Sequence, residues 1–173
     1  RPLVLLLIIF LYIYAYTATT NPVLYNNISK TNISSECDLL SDNTVSQDLN
    51  FDKNYKLNEL KVVFDNSNPS KNNFCSVVIE INNTKTNENI FTKRVGCSMI
   101  ADGDATLIKL NKLEVNAQDT YEIKFTAMNG VDQSIIGYKN SISLYRTNEL
   151  NDKLHPAIEN GLKKDYNLSI MIR

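Results

Sequence analysis

The sequence of 173 residues is 43% hydrophobic and 21% charged, with a formal net charge of −1, 24 asparagines and no tryptophan. Its longest basic runs are the dipeptides Lys93-Arg94 and Lys163-Lys164, so it lacks the basic patch that marks a nucleic-acid-binding domain. Because Asn favours turns and weakens helix interiors, the composition favours β-structure with polar loops.

The first 20 residues have the pattern of a secretory signal peptide. Arg1 is followed by an apolar run from Leu3 to about Tyr16 and then by small and polar residues, as such signals require. The run is shorter than the ~20 apolar residues of a membrane-spanning helix. We predict that residues 1–20 are cleaved and that the mature chain is secreted without a membrane span. A short uncleaved anchor is the alternative.

A polar segment, residues 21–45, follows the predicted signal peptide. Two of the chain's four Asn-X-Ser/Thr sequons lie in it, at Asn27 and Asn32, and the other two are at Asn82 and Asn167. Such sequons are acceptors for N-glycosylation in exported proteins. We predict glycosylation at all four, and Asn82 lies near a predicted hairpin turn that the modifying enzyme can reach.

The hairpin is predicted from two apolar stretches, "FCSVVIEI" and "IFTKRVGC", which flank the polar stretch "NNTKTNEN". A turn centred on Thr86 places Val77 opposite Val95 and Cys75 opposite Cys97. Directly opposed residues of antiparallel strands have Cα atoms ~4.5 to 5.5 Å apart, within the reach of a disulfide. The register predicts a Cys75–Cys97 bond, and two buried free thiols are the alternative.

Further strands are predicted along the chain from alternating apolar residues and turn residues. They comprise a strand with Leu60, Val62 and Phe64, the Cys75–Cys97 hairpin, and strands at 105–113, 121–128 and 141–146. The tail is predicted to form one or two helical turns within 152–164 and a short final strand within 167–173. Strands at this spacing indicate a sandwich of two antiparallel sheets.

Two of these strands resemble the fibronectin type III family, over roughly residues 46–147. "LKVVFD" has the alternation of the family's second strand, and "TYEIKFTAMN" has its Tyr-x-hydrophobic-x-hydrophobic-x-Ala-x-Asn pattern, preceded by Leu113. The resemblance implies an all-β, seven-strand antiparallel sandwich, fibronectin type III or immunoglobulin-like, with residues 148–173 as a C-terminal extension. It also implies that Tyr121 packs inward and bonds an upstream backbone group, as in a tyrosine corner.

Such a sandwich works as a binding or spacing module that uses its loops or an exposed sheet face. Here the loops would be residues 65–73 and 130–140. Within the second, Ile135, Ile136 and Tyr138 place apolar groups where solvent would otherwise face them, which marks a possible binding loop. The alternative is that the two isoleucines begin the last strand and pack inward.

The sequence predicts no catalytic residue, cofactor or metal site. His155, the only histidine, lies in a polar tail without a surrounding motif. The three cysteines lack the close-spaced pairs of zinc sites. Asp102-Gly103-Asp104 is better explained by a turn than by calcium binding. The odd cysteine, Cys37, could link two chains in a disulfide-bonded dimer or replace a partner in the predicted bond.

The function predicted from these features is that of a secreted, non-enzymatic glycoprotein. It would act as a binding or extracellular-matrix module whose partner is an extracellular protein or a matrix component. The alternative is a secreted effector or inhibitor that sequesters a protein ligand or a protease of another organism. A small hydrolase or a lipid carrier has no positive support in the sequence.

Overall fold

The computed structural model describes residues 4–10, 23–26, 28, 33–38, 44–66, 75–129, 143–147, 156–164 and 166–173. Within these ranges most of the regular secondary structure is β-strand. Residues 4–10 are helical, and every one of their apolar side chains is exposed. Among the described helices, none is both long and apolar enough to cross a membrane.

The described strands are numbered along the chain. They are β1 (Tyr25–Asn26), β2 (Ile33–Asp38), β3 (Thr44–Asn50), β4 (Tyr55–Asp65), β5 (Cys75–Asn83), β6 (Glu88–Gly96), β7 (Ala105–Val115), β8 (Thr120–Asn129), β9 (Ser143–Thr147), β10 (Ile158–Glu159), β11 (Leu162–Lys163), β12 (Asn167–Leu168) and β13 (Ile170–Ile172). A short 3-10 helix, η1 (Cys97–Met99), follows β6.

The strands form two antiparallel sheets. In the first sheet, β4 pairs with β7 and, at successive points, with β13 and β9, while β1 pairs with β13 and both β2 and β12 pair with β9. The second sheet has the order β11-β10-β3-β8-β5-β6. This architecture confirms the predicted all-β, sandwich-like fold. The predicted total of seven strands is not confirmed, because the described strands alone number seven in one sheet and six in the other.

The core lies between the inward faces of the two sheets. The predicted alternation in β4 is confirmed, since Leu60, Val62 and Phe64 are all fully buried. The ring of Phe64 meets that of Phe125 from β8 edge to face, with centroids 6.3 Å apart. Burying each large apolar side chain contributes roughly 1.5 to 3 kcal/mol, so these rows supply the main force that holds the two sheets together.

The neighbours of the central strands differ from the immunoglobulin order, which places strands A, B, E and D in one sheet and C, F and G in the other. Let β4, β5, β7 and β8 correspond to strands B, C, E and F. Then β3 lies beside β8, where the immunoglobulin order has strand G, and β13 lies beside β4, where it has strand A. Both neighbours include residues outside the stretch 46–147, so segments at both ends of the chain contribute to the sheets.

The tail is built of strands, and the helical turns predicted for it are absent from its described part, residues 156–164 and 166–173. Residues 156–164 form the β10–β11 hairpin instead. Its turn residues, Asn160 and Gly161, have φ values of 49° and 79°, as a two-residue type I′ turn requires. Asn-Gly is the preferred sequence for that turn, and this preference outweighs the four-residue spacing of Leu154, Ile158 and Leu162 that suggested helical turns. The final strand was predicted correctly.

A buried polar contact joins the two sheets near the C-terminus. The side chain of Gln47 in β3 donates from Nε2 to Asn167 Oδ1 at 2.9 Å and accepts at Oε1 from the backbone N–H of Leu168 at 2.9 Å. Gln47 and Asn167 are both fully buried. Since an unpaired buried amide costs about 1 to 3 kcal/mol, this reciprocal bonding fixes β12 against β3.

The edge strand β6 carries a charge on its inward row. Lys93 lies opposite Ile79 in β5, between the half-buried Phe91 and Val95, yet its own side chain is exposed. An inward-pointing lysine on an edge strand is costly to bury and so discourages pairing with another chain. This edge of the second sheet is therefore protected against aggregation.

Candidate functional site

The predicted disulfide is present and defines one end of the sandwich. Val77 lies opposite Val95, as the predicted register required. Cys75 is bonded to Cys97, with their Cα atoms 5.4 Å apart. The bond ties the first residue of β5 to the first residue of η1, so the prediction of a Cys75–Cys97 bridge is confirmed.

A buried asparagine holds η1 to the end of β4. Asn66 Nδ2 donates to the carbonyl oxygens of Cys97 at 2.9 Å and Ile100 at 2.8 Å, and the residue is only 2% exposed. Its backbone N–H donates to Asp102 Oδ1 at 2.9 Å. In this structure Asp102 therefore orders a turn. Gly103, with φ 67°, adopts the left-handed conformation that glycine allows without strain.

The two predicted binding loops begin and end at this same place, which we call the disulfide end: Asp65, Asn66, Cys75, η1, Asn129 and Ser143. Residues 67–74 connect Asn66 to Cys75, and residues 130–142 connect Asn129 to Ser143. Cys75 pairs with Asn129, and Asp65 pairs with Ser143. Strand pairing thus joins an end of one segment to an end of the other in each sheet.

Most of the predicted loop residues lie outside the described residues. These include Ile135, Ile136 and Tyr138, so their surroundings are untested. Among the described residues at the disulfide end, Met99 in η1 is 78% exposed. Sequence reasoning missed both Met99 and Asn66. The sequence pointed to this region only through the predicted loops, 65–73 and 130–140, and the Cys75–Cys97 bond.

The opposite end of the sandwich is closed by hydrogen bonds between two turns. Asn83 Nδ2 donates to Asp119 Oδ2 at 3.0 Å, and Lys85 Nζ lies 3.2 Å from Asp119 Oδ1. The hydrogen bond from Lys85, followed by that from Asn83, lowers the pKa of Asp119. These contacts link the β5–β6 turn to the β7–β8 turn.

Tyr121, which opens β8 at this opposite end, has the predicted tyrosine-corner arrangement. It is 1% exposed, and its hydroxyl oxygen accepts a hydrogen bond from the backbone N–H of Asn116 at 2.8 Å. Burial raises the pKa of the phenol. Its ring also packs edge to face on Phe51, with centroids 5.7 Å apart. Tyr121 therefore belongs to the scaffold.

The substitution Tyr121→Phe is expected to lower the free energy of unfolding by about 1 kcal/mol, the contribution of one hydrogen bond. The ring and its packing on Phe51 remain, while the backbone N–H of Asn116 loses its acceptor. Urea denaturation checks the value. A variant as stable as the wild-type protein would contradict this role of the hydroxyl.

The two described sequons differ in accessibility. Asn82 lies on the outer face of β5, half-buried, and its Oδ1 accepts from Asn89 Nδ2 at 2.8 Å. Asn167 is fully buried against Gln47, so the native fold leaves no space for a glycan there. The other two predicted sites, Asn27 and Asn32, lie outside the described residues.

An open groove of about 560 Å³ crosses the outer face of the second sheet. Its walls come from β3, β5 and β8 and include Val78, Glu80, Lys124, Thr126 and Met128. Apolar side chains, hydroxyl groups and charges of both signs therefore line one shallow surface. The groove was not predicted from the sequence, because it requires three strands that are distant along the chain.

The other residues considered in the sequence are the single histidine and the odd cysteine. His155 lies outside the described residues, and Cys37 lies in β2 in register with Leu144. No group of three or more His, Cys, Asp or Glu side chains that could hold a metal ion occurs in the described part of the chain.

A scan of protein-family models and a search of curated proteins found no match to the chain.

Proposed function

We propose that the chain is a secreted, non-enzymatic glycoprotein with an immunoglobulin-like or fibronectin type III-like sandwich. It binds an extracellular protein or matrix component through the disulfide end. The observation that carries this proposal is the common anchoring of the two long segments, 67–74 and 130–142, by the pairs Cys75–Asn129 and Asp65–Ser143.

Two further features support export. Disulfides persist in oxidising compartments outside the cytosol, and this sandwich has one between β5 and η1. The apolar side chains of the helix at residues 4–10 are 49 to 66% exposed, so none of them belongs to the buried core. An apolar segment that contributes nothing to the core is what a signal peptide requires.

Binding at the disulfide end would use the rigidity of the platform beneath the loops. Association costs about 0.5 to 1.5 kcal/mol for each flexible side chain that it orders. Asn66 and the disulfide already fix η1, so less of that cost remains. Met99, 78% exposed on η1, would supply an apolar contact beside the predicted contacts from Ile135, Ile136 and Tyr138.

The test is affinity measurement with surface variants. The secreted chain is immobilised, a partner is captured from the extracellular fluid or matrix of the source tissue and identified by mass spectrometry, and its Kd is measured. Ile136→Asp and Met99→Asp are each expected to weaken binding at least tenfold while Tm stays unchanged. Leu107→Asp, at a side chain 48% exposed on the outer face of β7, is the matched control.

Two outcomes would contradict the proposal. If all three variants bind the partner with the same Kd, the disulfide end is not part of the interface. A large fall in Tm for Ile136→Asp would show that this side chain packs in the core, as the alternative interpretation of the sequence holds.

A further inference from the structure

The outer face of the second sheet brings the groove and the accessible sequon together. Side chains alternate between the two faces of a strand, so Val78, Glu80 and Asn82 of β5 share the outer face. Lys124 lies opposite Glu80, and Glu122 lies opposite Asn82. Asn82 therefore lies at one end of the groove, at the next outward-facing position of β5 after Glu80.

A glycan on Asn82 would be attached next to the groove, whose nearest lining residues are the outward pair Glu80 and Lys124. The carbohydrate is attached to Nδ2, while the observed hydrogen bond from Asn89 uses Oδ1. The distance along β5 from Asn82 to Val78 is four residues, or about 13 Å at the rise of an antiparallel strand. The first few sugars of an N-linked glycan span such a distance.

The groove also has the chemistry that these sugars need. An N-acetylglucosamine unit has apolar C–H faces and an acetamide methyl group, which suit Val78 and the 46% exposed Met128. Its hydroxyl and amide groups can exchange hydrogen bonds with Thr126, Glu80 and Lys124, all of which line the groove. Bonds to the two charged side chains are stronger than bonds between neutral groups.

We propose that the groove on the outer face of the second sheet seats the protein's own N-glycan, attached at Asn82. The glycan covers apolar surface on this face and stabilises the fold. This inference rests on the glycosylation that the proposed function includes.

The experiment compares the unfolding of one chain with and without its glycan. The full chain is secreted from eukaryotic cells with Ser29→Ala and Ser34→Ala, which remove the sequons at Asn27 and Asn32. Of the two sequons that remain, Asn167 is buried and Asn82 is accessible. Mass spectrometry of intact glycopeptides shows whether Asn82 is occupied. An endoglycosidase then trims the glycan of the folded protein to its first sugar. We expect Tm to fall by about 2 to 4 °C, equivalent to roughly 1 kcal/mol in a chain of this size.

A matched pair of variants tests the location of the glycan. Thr126→Arg fills the groove with a long side chain, and trimming should then change Tm by less than half the wild-type shift. Leu107→Arg puts the same residue on the outer face of the other sheet, where the full shift should persist. Each variant is compared with its own trimmed form, so any direct effect of the substitution on stability cancels.

Three results would overturn the inference. If Asn82 carries a glycan but trimming leaves Tm unchanged, the glycan does not contact the groove. If Thr126→Arg retains the whole shift, the glycan acts from elsewhere. If Asn82 carries no glycan, the inference fails, while the glycoprotein part of the proposed function is judged by Asn27 and Asn32 in the wild-type chain and partner binding at the disulfide end by the Met99 and Ile136 variants.

Discussion

Truncation after Ser169, which removes residues 170–173, is expected to abolish cooperative folding. Ile170 and Ile172 are fully buried and pair with Val62 and Leu60 of β4. Losing the burial of two such side chains costs about 3 to 6 kcal/mol, against a total stability of roughly 5 to 15 kcal/mol for a typical domain. The backbone bonds between β13 and β4 are lost as well. Circular dichroism during urea denaturation measures the outcome.

Single substitutions in β13 supply the control for this truncation. Ile172→Ala is expected to cost about 2 to 5 kcal/mol because it leaves a cavity in the core. Met171 lies on the opposite face of the same strand and is half-buried, so Met171→Ala should cost less than about 1 kcal/mol. A truncated chain with a wild-type unfolding midpoint would mean that the first sheet is stable without β13.

Loss of the disulfide is the second large effect that we expect. In Cys75→Ser/Cys97→Ser, a loop closed over a separation of 22 residues is opened, and loops of this length contribute about 3 kcal/mol. The corresponding fall in Tm is about 6 to 12 °C, at 2 to 4 °C for each kcal/mol. Differential scanning calorimetry of the variant and the oxidised wild-type protein gives the comparison.

Reduction of the wild-type protein is the control for this variant. A reductant should lower the Tm of the wild-type protein by a similar amount and leave that of the double variant unchanged. The variant should also bind the partner more weakly, because η1 loses one of its two attachments. A double variant with the Tm of the oxidised wild-type protein would refute the stabilising role of the bond.

The features that were predicted from the sequence are local ones. The pairing of β5 with β6 from Ser76 to Ile81 and the Cys75–Cys97 bond were predicted from one short connection, while a bulge between Ile81 and Asn82 shifts the register by one residue beside the turn. The corner at Tyr121 involves a backbone group only five positions upstream. In such cases the chain itself brings the partners together, and a short stretch of sequence contains the whole interaction.

The features that were missed depend on distant partners. Apolar alternation indicates which face of a strand is buried, but it does not indicate which strand lies alongside. The pairings of β3 with β8 and of β13 with β4 therefore could not be read from the sequence. Gln47 and Asn66 were missed for a related reason. Polar residues are mostly exposed, and their burial depends on partners that only the fold supplies.

The pairing of β13 with β4 also has a consequence for the order of events during synthesis. The first sheet incorporates residues 170–172 beside β4, so it is completed only after those residues have left the ribosome. Folding through contacts so distant along the chain is slow, since loop closure must precede the stabilising contacts. Such a delay suits the proposed secretion, because a sandwich that closed before translocation would block passage across the membrane.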